Sequence, residues 1–227
     1  MNDKLIKQII IVAGGNGSRM KSDIPKQFIV LKGLPVLMRT INVFYKIDPE
    51  IDIILVLPHD QMNVWKGLCT KYKFSVPHVL VAGGNTRFQS VKNALAEATS
   101  EGLIGVHDGV RPFVSPEVIC NCYDTAIEKK AVVPVIDVVE TLRRLAPFNR
   151  NHTVPRSEFK LVQTPQVFDA VLLHEAYEQP YSSHFTDDAS VVEATGMSIT
   201  LVPGNRNNIK LTTPIDLKIA ETLIRND

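Results

Sequence analysis

At 227 residues the chain is long enough for one substantial domain and too short for two comfortable ones. Its 44% hydrophobic and 22% charged residues are those of an ordinary globular protein with a real core. The net charge of +1 gives no reason to expect a nucleic-acid or membrane partner, and no stretch approaches the ~20 apolar residues of a membrane span.

In chain order, the first element is the β-branched run 8–13 (QIIIVA), which reads as a strand entering a glycine-rich loop at Gly14, Gly15 and Gly17. Apolar residues at Leu37, Ile41, Phe44 and Tyr45 predict a helix over 36–46. Strands follow at 51–57 and 78–82, and after Thr86 the stripe Val91, Leu95 and Ala98 predicts a second helix. The run 103–107 is a strand. Ser115-Pro116-Glu117 then gives a helix start with a hydroxyl cap, proline at the first position and an acid in the first turn. Strands are expected at 131–135 and 198–202, and Thr213-Pro214-Ile215-Asp216 opens a last helix with a capping-box acid. Most of these strand runs are continuous rather than alternating, as in a sheet covered by helices on both faces. The expected class is therefore α/β, with a mostly parallel open sheet in a single domain over 1–227. Residues 137–164 break the rhythm: two extended segments around a polar turn at Pro147–Asn151 read as a β-hairpin arm, either a dimer contact or an ordinary surface hairpin.

Charge is unevenly distributed. Residues 1–46 carry eight Lys or Arg against Asp3 and Asp23, so that segment is +6 and the remainder −5. Such charge beside a glycine loop favours a polyanionic small molecule. Cys69, Cys120 and Cys122 are odd in number and contain no C-x-x-C, which fits free thiols in a reducing cytoplasm. Lys4 and Lys7 precede only a short apolar run, so no export signal is expected.

The loop itself is informative by what it fails to match. In Gly15-Asn16-Gly17-Ser18-Arg19-Met20, methionine occupies the place of the last glycine of a dinucleotide fingerprint, and no acid lies about 20 residues further on for a ribose. Lys26 stands too far from the glycines for a Walker loop. What remains is exposed backbone amide groups for phosphate oxygens, with Arg19 and Lys26 as mobile cations.

That loop, small–Gly–Gly–x–Gly–x–Arg–Met with a later Pro25-Lys26-Gln27, resembles the signature of the sugar-nucleotidyltransferases. Four further stretches sharpen the likeness: Gly83-Gly84-Asn85-Thr86-Arg87-Phe88-Gln89-Ser90, His107-Asp108-Gly109-Val110-Arg111-Pro112, Gln163-Thr164-Pro165-Gln166 and Asn208-Ile209-Lys210-Leu211-Thr212. Together and in this order they resemble the 2-C-methyl-D-erythritol 4-phosphate cytidylyltransferase family, among the polyol-phosphate cytidylyltransferases, over nearly the whole chain. The resemblance implies a Rossmann-like nucleotidyltransferase domain with a protruding arm, and transfer of CMP from CTP to a polyol phosphate with release of pyrophosphate.

It also implies site residues. Ala13, Gly14 and Gly15 would hold the triphosphate through the main chain, with Arg19 and Lys26 on its phosphates. Gly84, Asn85 and Ser90 would face the cytosine, and Asp108 and Gly109 the ribose and phosphate. Asp108, Arg111, Thr141, Arg156, Thr164, Thr186 and Lys210 would hold the polyol phosphate. Of these, Arg19, Lys26, Arg156 and Lys210 would be the catalytic cations. The arm would exchange across a two-fold homodimer, putting Thr141 and Arg156 in the partner's site. Asn85 stands where many relatives carry Asp and Gly109 where many carry Ala, and the arm's opening Asp137–Glu140 is longer than usual.

An alkyl phosphate is already ionised at neutral pH and needs no general base. The obstacle is bringing polyanions together: two unit charges at 4 Å repel by ~4 kcal/mol at an effective dielectric of 20. Positioning and neutralisation are then the protein's task. Mg²⁺ on the triphosphate is expected, with Asp108 as its candidate contact. His107 reads as a packed strand-end histidine. Ribitol 5-phosphate is the competing acceptor, and a non-catalytic nucleotide-binding regulator is the competing class.

Overall fold

Ile9, Ile10 and Ile11 are consecutive and all fully buried. Successive side chains of a strand point to opposite faces, and accordingly Ile9 and Ile11 enter one apolar cluster while Ile10 enters another. A strand can do this only where helices cover the sheet on both sides.

The computed structural model describes residues 5–14 and 24–224. In order, these form β1 (Lys7–Val12), β2 (Val30–Leu31), β3 (Leu34–Pro35), α1 (Val36–Ile47), β4 (Asp52–Leu57), α2 (Met62–Tyr72), β5 (Val79–Ala82), α3 (Arg87–Leu95), β6 (Leu103–Asp108) and α4 (Pro116–Lys129). Then come β7 (Ala131–Asp137), β8 (Leu142–Leu145), β9 (Asn151–Val154), β10 (Lys160–Val162), β11 (Gln166–Asp169), α5 (Ala170–Ala176), α6 (Asp188–Glu193), β12 (Thr200–Pro203) and α7 (Pro214–Leu223). Helices α1, α2 and α4 cover the Ile9 face through residues such as Leu37, Trp65 and Ile119, and α3, α5 and α6 cover the Ile10 face through Val91, Leu173 and Val192.

The main sheet runs β5-β4-β1-β6-β11-β7, with β12 on the far edge of β7. Strands β5, β4, β1 and β6 are parallel, β12 is parallel to β7, and β11 enters antiparallel between β6 and β7. The chain leaves β1 towards β4 and β5 on one side and returns to form β6 on the other. That reversal opens a crevice at the carboxyl ends of β1 and β6, where open α/β sheets bind ligands.

The caps read from the sequence are in place. Ser115 Oγ accepts from Val118 N–H at 3.4 Å, and the Asp216 carboxylate accepts from Thr213 N–H at 2.7 Å. Of the segment 137–164, only β8 and β9 form a free hairpin, closed by a turn in which Ala146 N–H donates to the Arg150 carbonyl at 2.9 Å. Its other end rejoins the body, since Lys160, Leu161 and Val162 pair antiparallel with the end of β7. Strand β11 and helices α2, α5 and α6 add to the elements expected from sequence. No helix among the described residues is long and apolar enough to cross a membrane.

Candidate active site

At the end of β1, Ala13 N–H donates to the Val56 carbonyl at 3.0 Å and so continues the ladder beyond the last strand residue. Gly14 follows, exposed; Gly15 and Arg19 lie outside the described residues. Alongside, Gly109 N–H donates to the Val12 carbonyl at 2.8 Å. A Cβ on Gly109 would lie 2.8 Å from the Ala13 Cβ and 3.0 Å from Leu37 Cδ1, so glycine here allows the ends of β1 and β6 to close together. Lys26 sits on a single 3₁₀ turn over 26–28. The next residue, Gln27, is fully buried, and its Nε2 donates to the Ala13 carbonyl at 2.8 Å and to Gln61 Oε1 at 2.6 Å. This amide ties the lysine-bearing turn to the end of β1.

On the other flank, β5 ends in the turn Gly83–Thr86. Gly83 N–H donates to the Leu57 carbonyl at 2.8 Å, and Thr86 caps α3 by accepting from Gln89 N–H at 3.0 Å. Ser90 Oγ accepts from Gly84 N–H at 3.1 Å and donates to the Thr86 carbonyl at 2.9 Å. Its proton is therefore spent on the turn, and its local task is to shape the backbone of Gly84 and Asn85.

Between these flanks lies a cavity of about 270 Å³. Its wall brings together Ala13, Gly14 and Lys26, then Gly84, Asn85 and Ser90, and finally Asp108 and Lys210. Asp108 ends β6 and is nearly buried. Its Oδ2 receives Arg111 Nε at 2.9 Å and Lys210 Nζ at 3.0 Å. Burial pushes this carboxyl's pKa up, but Lys210, Arg111 and Arg87 outweigh burial and hold it well below the usual carboxylate range. The group stays ionised. Arg111 Nη1 also donates to the Asn208 carbonyl at 2.7 Å, and Asn208 Nδ2 donates to the Thr164 carbonyl at 2.8 Å. The loop carrying Lys210 is thereby fixed to β6 and to the segment ahead of β11. Arg111 and Thr164 thus join the cluster through Asp108 without lining the cavity.

Three expected residues lie apart from it. Thr186 is exposed, its backbone N–H donating to Ser190 Oγ at 3.0 Å. Thr141 and Arg156 are exposed on the arm and do not line the cavity of their own chain; Arg156 Nη1 donates to the Val139 carbonyl.

The family model for 2-C-methyl-D-erythritol 4-phosphate cytidylyltransferase matches residues 7–226. The chain belongs to that family. It is 62% identical over 218 residues to the enzyme of this name from Phocaeicola vulgatus, covering 96% of this chain and 99% of the relative. Among solved structures, the 4-diphosphocytidyl-2C-methyl-D-erythritol synthase of Anaerococcus prevotii superposes with a TM-score of 0.82 at 29% identity, over 96% of this chain and 95% of that one. The 2-C-methyl-D-erythritol 4-phosphate cytidylyltransferase of Thermus thermophilus does so with 0.78 at 32% identity, over 96% and 98%.

Two residues that sequence reasoning passed over hold this cytidylyltransferase-family site in shape. Arg87 lines the cavity and donates Nη1 and Nη2 to the two oxygens of Asp188 at 2.7 and 2.5 Å. The signal was available: an arginine in the first turn of a helix opposes the helix dipole and asks for a carboxylate partner. Gln27 carries no local signal of its task, and only the folded chain brings it to the Ala13 carbonyl.

Proposed function

We propose that the chain transfers CMP from CTP to 2-C-methyl-D-erythritol 4-phosphate, giving 4-diphosphocytidyl-2-C-methyl-D-erythritol and pyrophosphate. The observation that carries this reading is Asp108, held between Lys210 and Arg111 at the crevice between β1 and β6. An oxygen of the acceptor phosphate attacks the α-phosphorus of CTP, and the bond to the bridging oxygen of pyrophosphate breaks. Lys26, Arg87 and Lys210 line the cavity and Arg111 stands behind Asp108, four cations against the carboxylates of Asp108 and Asp188. Lys26 and Arg19 neutralise the triphosphate, while Lys210 is placed to meet the acceptor phosphate. Ala13 N–H is spent on the Val56 carbonyl, so the expected phosphate contact of Ala13 passes to the amides of Gly14 and Gly15, and Gly84 and Asn85 face the base across a backbone that Ser90 keeps rigid. Ionised Asp108 serves by orienting Lys210 and Arg111. Gly109 lets the ribose and α-phosphate approach the backbone.

The donor set also fits Mg²⁺ arriving with the nucleotide. Among the described residues no three His, Cys, Asp or Glu side chains group to cage a metal. Asp108 spends Oδ2 on both of its ion pairs, so Oδ1 would be the oxygen to meet the ion, directly or through water. When bound, that ion would draw charge from the phosphates.

We further propose a homodimer through the β8–β9 arm in a cytoplasmic enzyme. Leu145 and Phe148 are 83% and 90% exposed at the arm's tip, an apolar surface that a second copy would cover. Thr141, Arg156, Thr164 and Thr186 then contribute to holding the polyol phosphate, the first two across the dimer.

Pyrophosphate release from CTP and Mg²⁺, with methylerythritol phosphate and ribitol 5-phosphate offered separately, tests the reading. The expected result is clear preference for methylerythritol phosphate. Preference for ribitol phosphate would overturn the substrate, and CTP binding without turnover on either would leave a nucleotide-binding regulator.

A further inference from the structure

His107 is fully buried, adjoins Asp108, and is given no task in the transfer of CMP. Its ring packs edge-on against Phe44 at 4.9 Å. Both of its nitrogens are engaged: Nε2 lies 3.0 Å from the Arg111 carbonyl and Nδ1 lies 3.0 Å from Thr164 Oγ1. A carbonyl oxygen can only accept, so Nε2 carries the proton. The opposite neutral tautomer would set two acceptors against each other at 3.0 Å. The ring is fully buried and both of its nitrogens face uncharged partners, so its surroundings suit the neutral imidazole.

With Nε2 protonated, Nδ1 is an acceptor, and the Thr164 hydroxyl must donate to it. The same hydroxyl accepts from Asp108 N–H at 3.1 Å. A hydroxyl has one proton and two lone pairs. Thr164 is therefore left with one lone pair and nothing to donate. It cannot hydrogen-bond to a phosphate, which at neutral pH offers almost only acceptors, but it can receive a hydrogen bond from an alcohol.

We propose that His107 is a positioning residue: it turns the Thr164 hydroxyl into an acceptor for a hydroxyl group of the polyol, and fixes Asp108 and Arg111 in one arrangement. This rests on the reading of the chain as a polyol-phosphate cytidylyltransferase. It assigns Thr164 to the polyol chain and leaves the phosphate end to the cations.

Two measurements on the full-length protein test it. In ¹⁵N-histidine-labelled protein, long-range ¹H–¹⁵N spectra report the tautomer, with the His107 signal identified by its loss in His107→Asn. The expected state at neutral pH is Nε2-protonated and Nδ1-bare; an Nδ1-protonated ring or an imidazolium would overturn the proposal. In steady-state kinetics, His107→Phe should raise the KM for methylerythritol phosphate by about tenfold or more, the size of one lost buried hydrogen bond, and shift that for CTP by less than about twofold. His107→Asn, whose side-chain oxygen can stand in for Nδ1, should recover most of that loss. A folded Phe variant with an unchanged KM for the polyol, or equal losses for both substrates in Phe and Asn variants, would also sink it. The tautomer measurement needs no turnover, so it still decides the His107 arrangement if the chain fails to transfer CMP.

Discussion

Arg87 and Asp188, 101 positions apart in the chain, meet in a two-point ion pair with distances of 2.7 and 2.5 Å. The carboxylate is wholly buried and also accepts from the Tyr177 hydroxyl at 2.7 Å, while Phe88 stacks on the Tyr177 ring at 4.8 Å. The pair locks the start of α3, which follows the turn Gly83–Thr86, to the start of α6, which follows Thr186. Removing the arginine alone leaves a buried charge without its main partner. Arg87→Ala should therefore cost about 3 kcal/mol or more in urea unfolding, and should raise the KM for CTP even where the fold survives. An unchanged unfolding midpoint would mean that the pair contributes nothing net.

Acid should weaken the fold through His107 before it touches Asp108. The imidazole has a folded pKa of about 4 against 6.5 for the free side chain. Between those values the unfolded chain binds the proton and the folded chain does not, so stability is complete above about 6.5 and falls as the pH drops towards 4, by on the order of 3 kcal/mol. Asp108, whose folded pKa is depressed, keeps its charge throughout that window and gives up its contribution only at more acid pH. The groups facing the ring are Thr164, Arg111, Asp108 and Phe44, of which the Asp108 carboxyl is held well below the usual carboxylate range. Stability against pH in His107→Asn should be flatter over the same range. An identical slope would assign the acid sensitivity to another group.

Lys210 and Arg111 both hold Asp108, yet their removal should differ. Arg111 also fastens the Asn208 carbonyl, whereas Lys210 pairs with Asp108 from a partly exposed position. Lys210→Ala should leave the unfolding midpoint nearly unchanged while kcat/KM for methylerythritol phosphate falls by about 10²–10³, the loss seen when one preorganised charge-stabilising donor is removed. A loss under about tenfold would place Lys210 outside the reaction path.

How much of this was legible beforehand follows from the range of the interactions. The β-branched runs, the Ser115 cap and the Asp216 capping acid are local, and the sheet and helices form where they predict. Lys26, Asp108 and Lys210 lie in short, ordered motifs, and the fold brings all three to one cavity. The partners that hold them were not legible. Gln27 meets the Ala13 carbonyl, Asn208 meets Thr164 and Arg87 meets Asp188 only once the sheet has brought distant loops to one edge. Strand β11 was hidden for a similar reason: four residues, Gln166–Asp169, carry too little pattern, and their antiparallel course is set by the partners β6 and β7. The expected arm was longer than the free hairpin because Lys160–Val162 are claimed by the open edge of β7.

The arm supplies the last prediction. Thr141 and Arg156 lie off the cavity of their own chain, and the hairpin ends in an exposed phenylalanine at a residue with φ of 60°. If the arm completes the site of a second copy, Lys26→Ala and Arg156→Ala homodimers should each be nearly inactive for different reasons. A heterodimer of the two then has one site with both defects and one with neither. Mixing and re-equilibrating the two inactive variants should therefore restore activity, approaching about half the wild-type value per heterodimer. Phe148→Ser should weaken self-association in sedimentation, and activity should fall with dilution, while the unfolding of the body stays the same. Mixtures that remain inactive despite demonstrated subunit exchange would show that each chain builds its site alone.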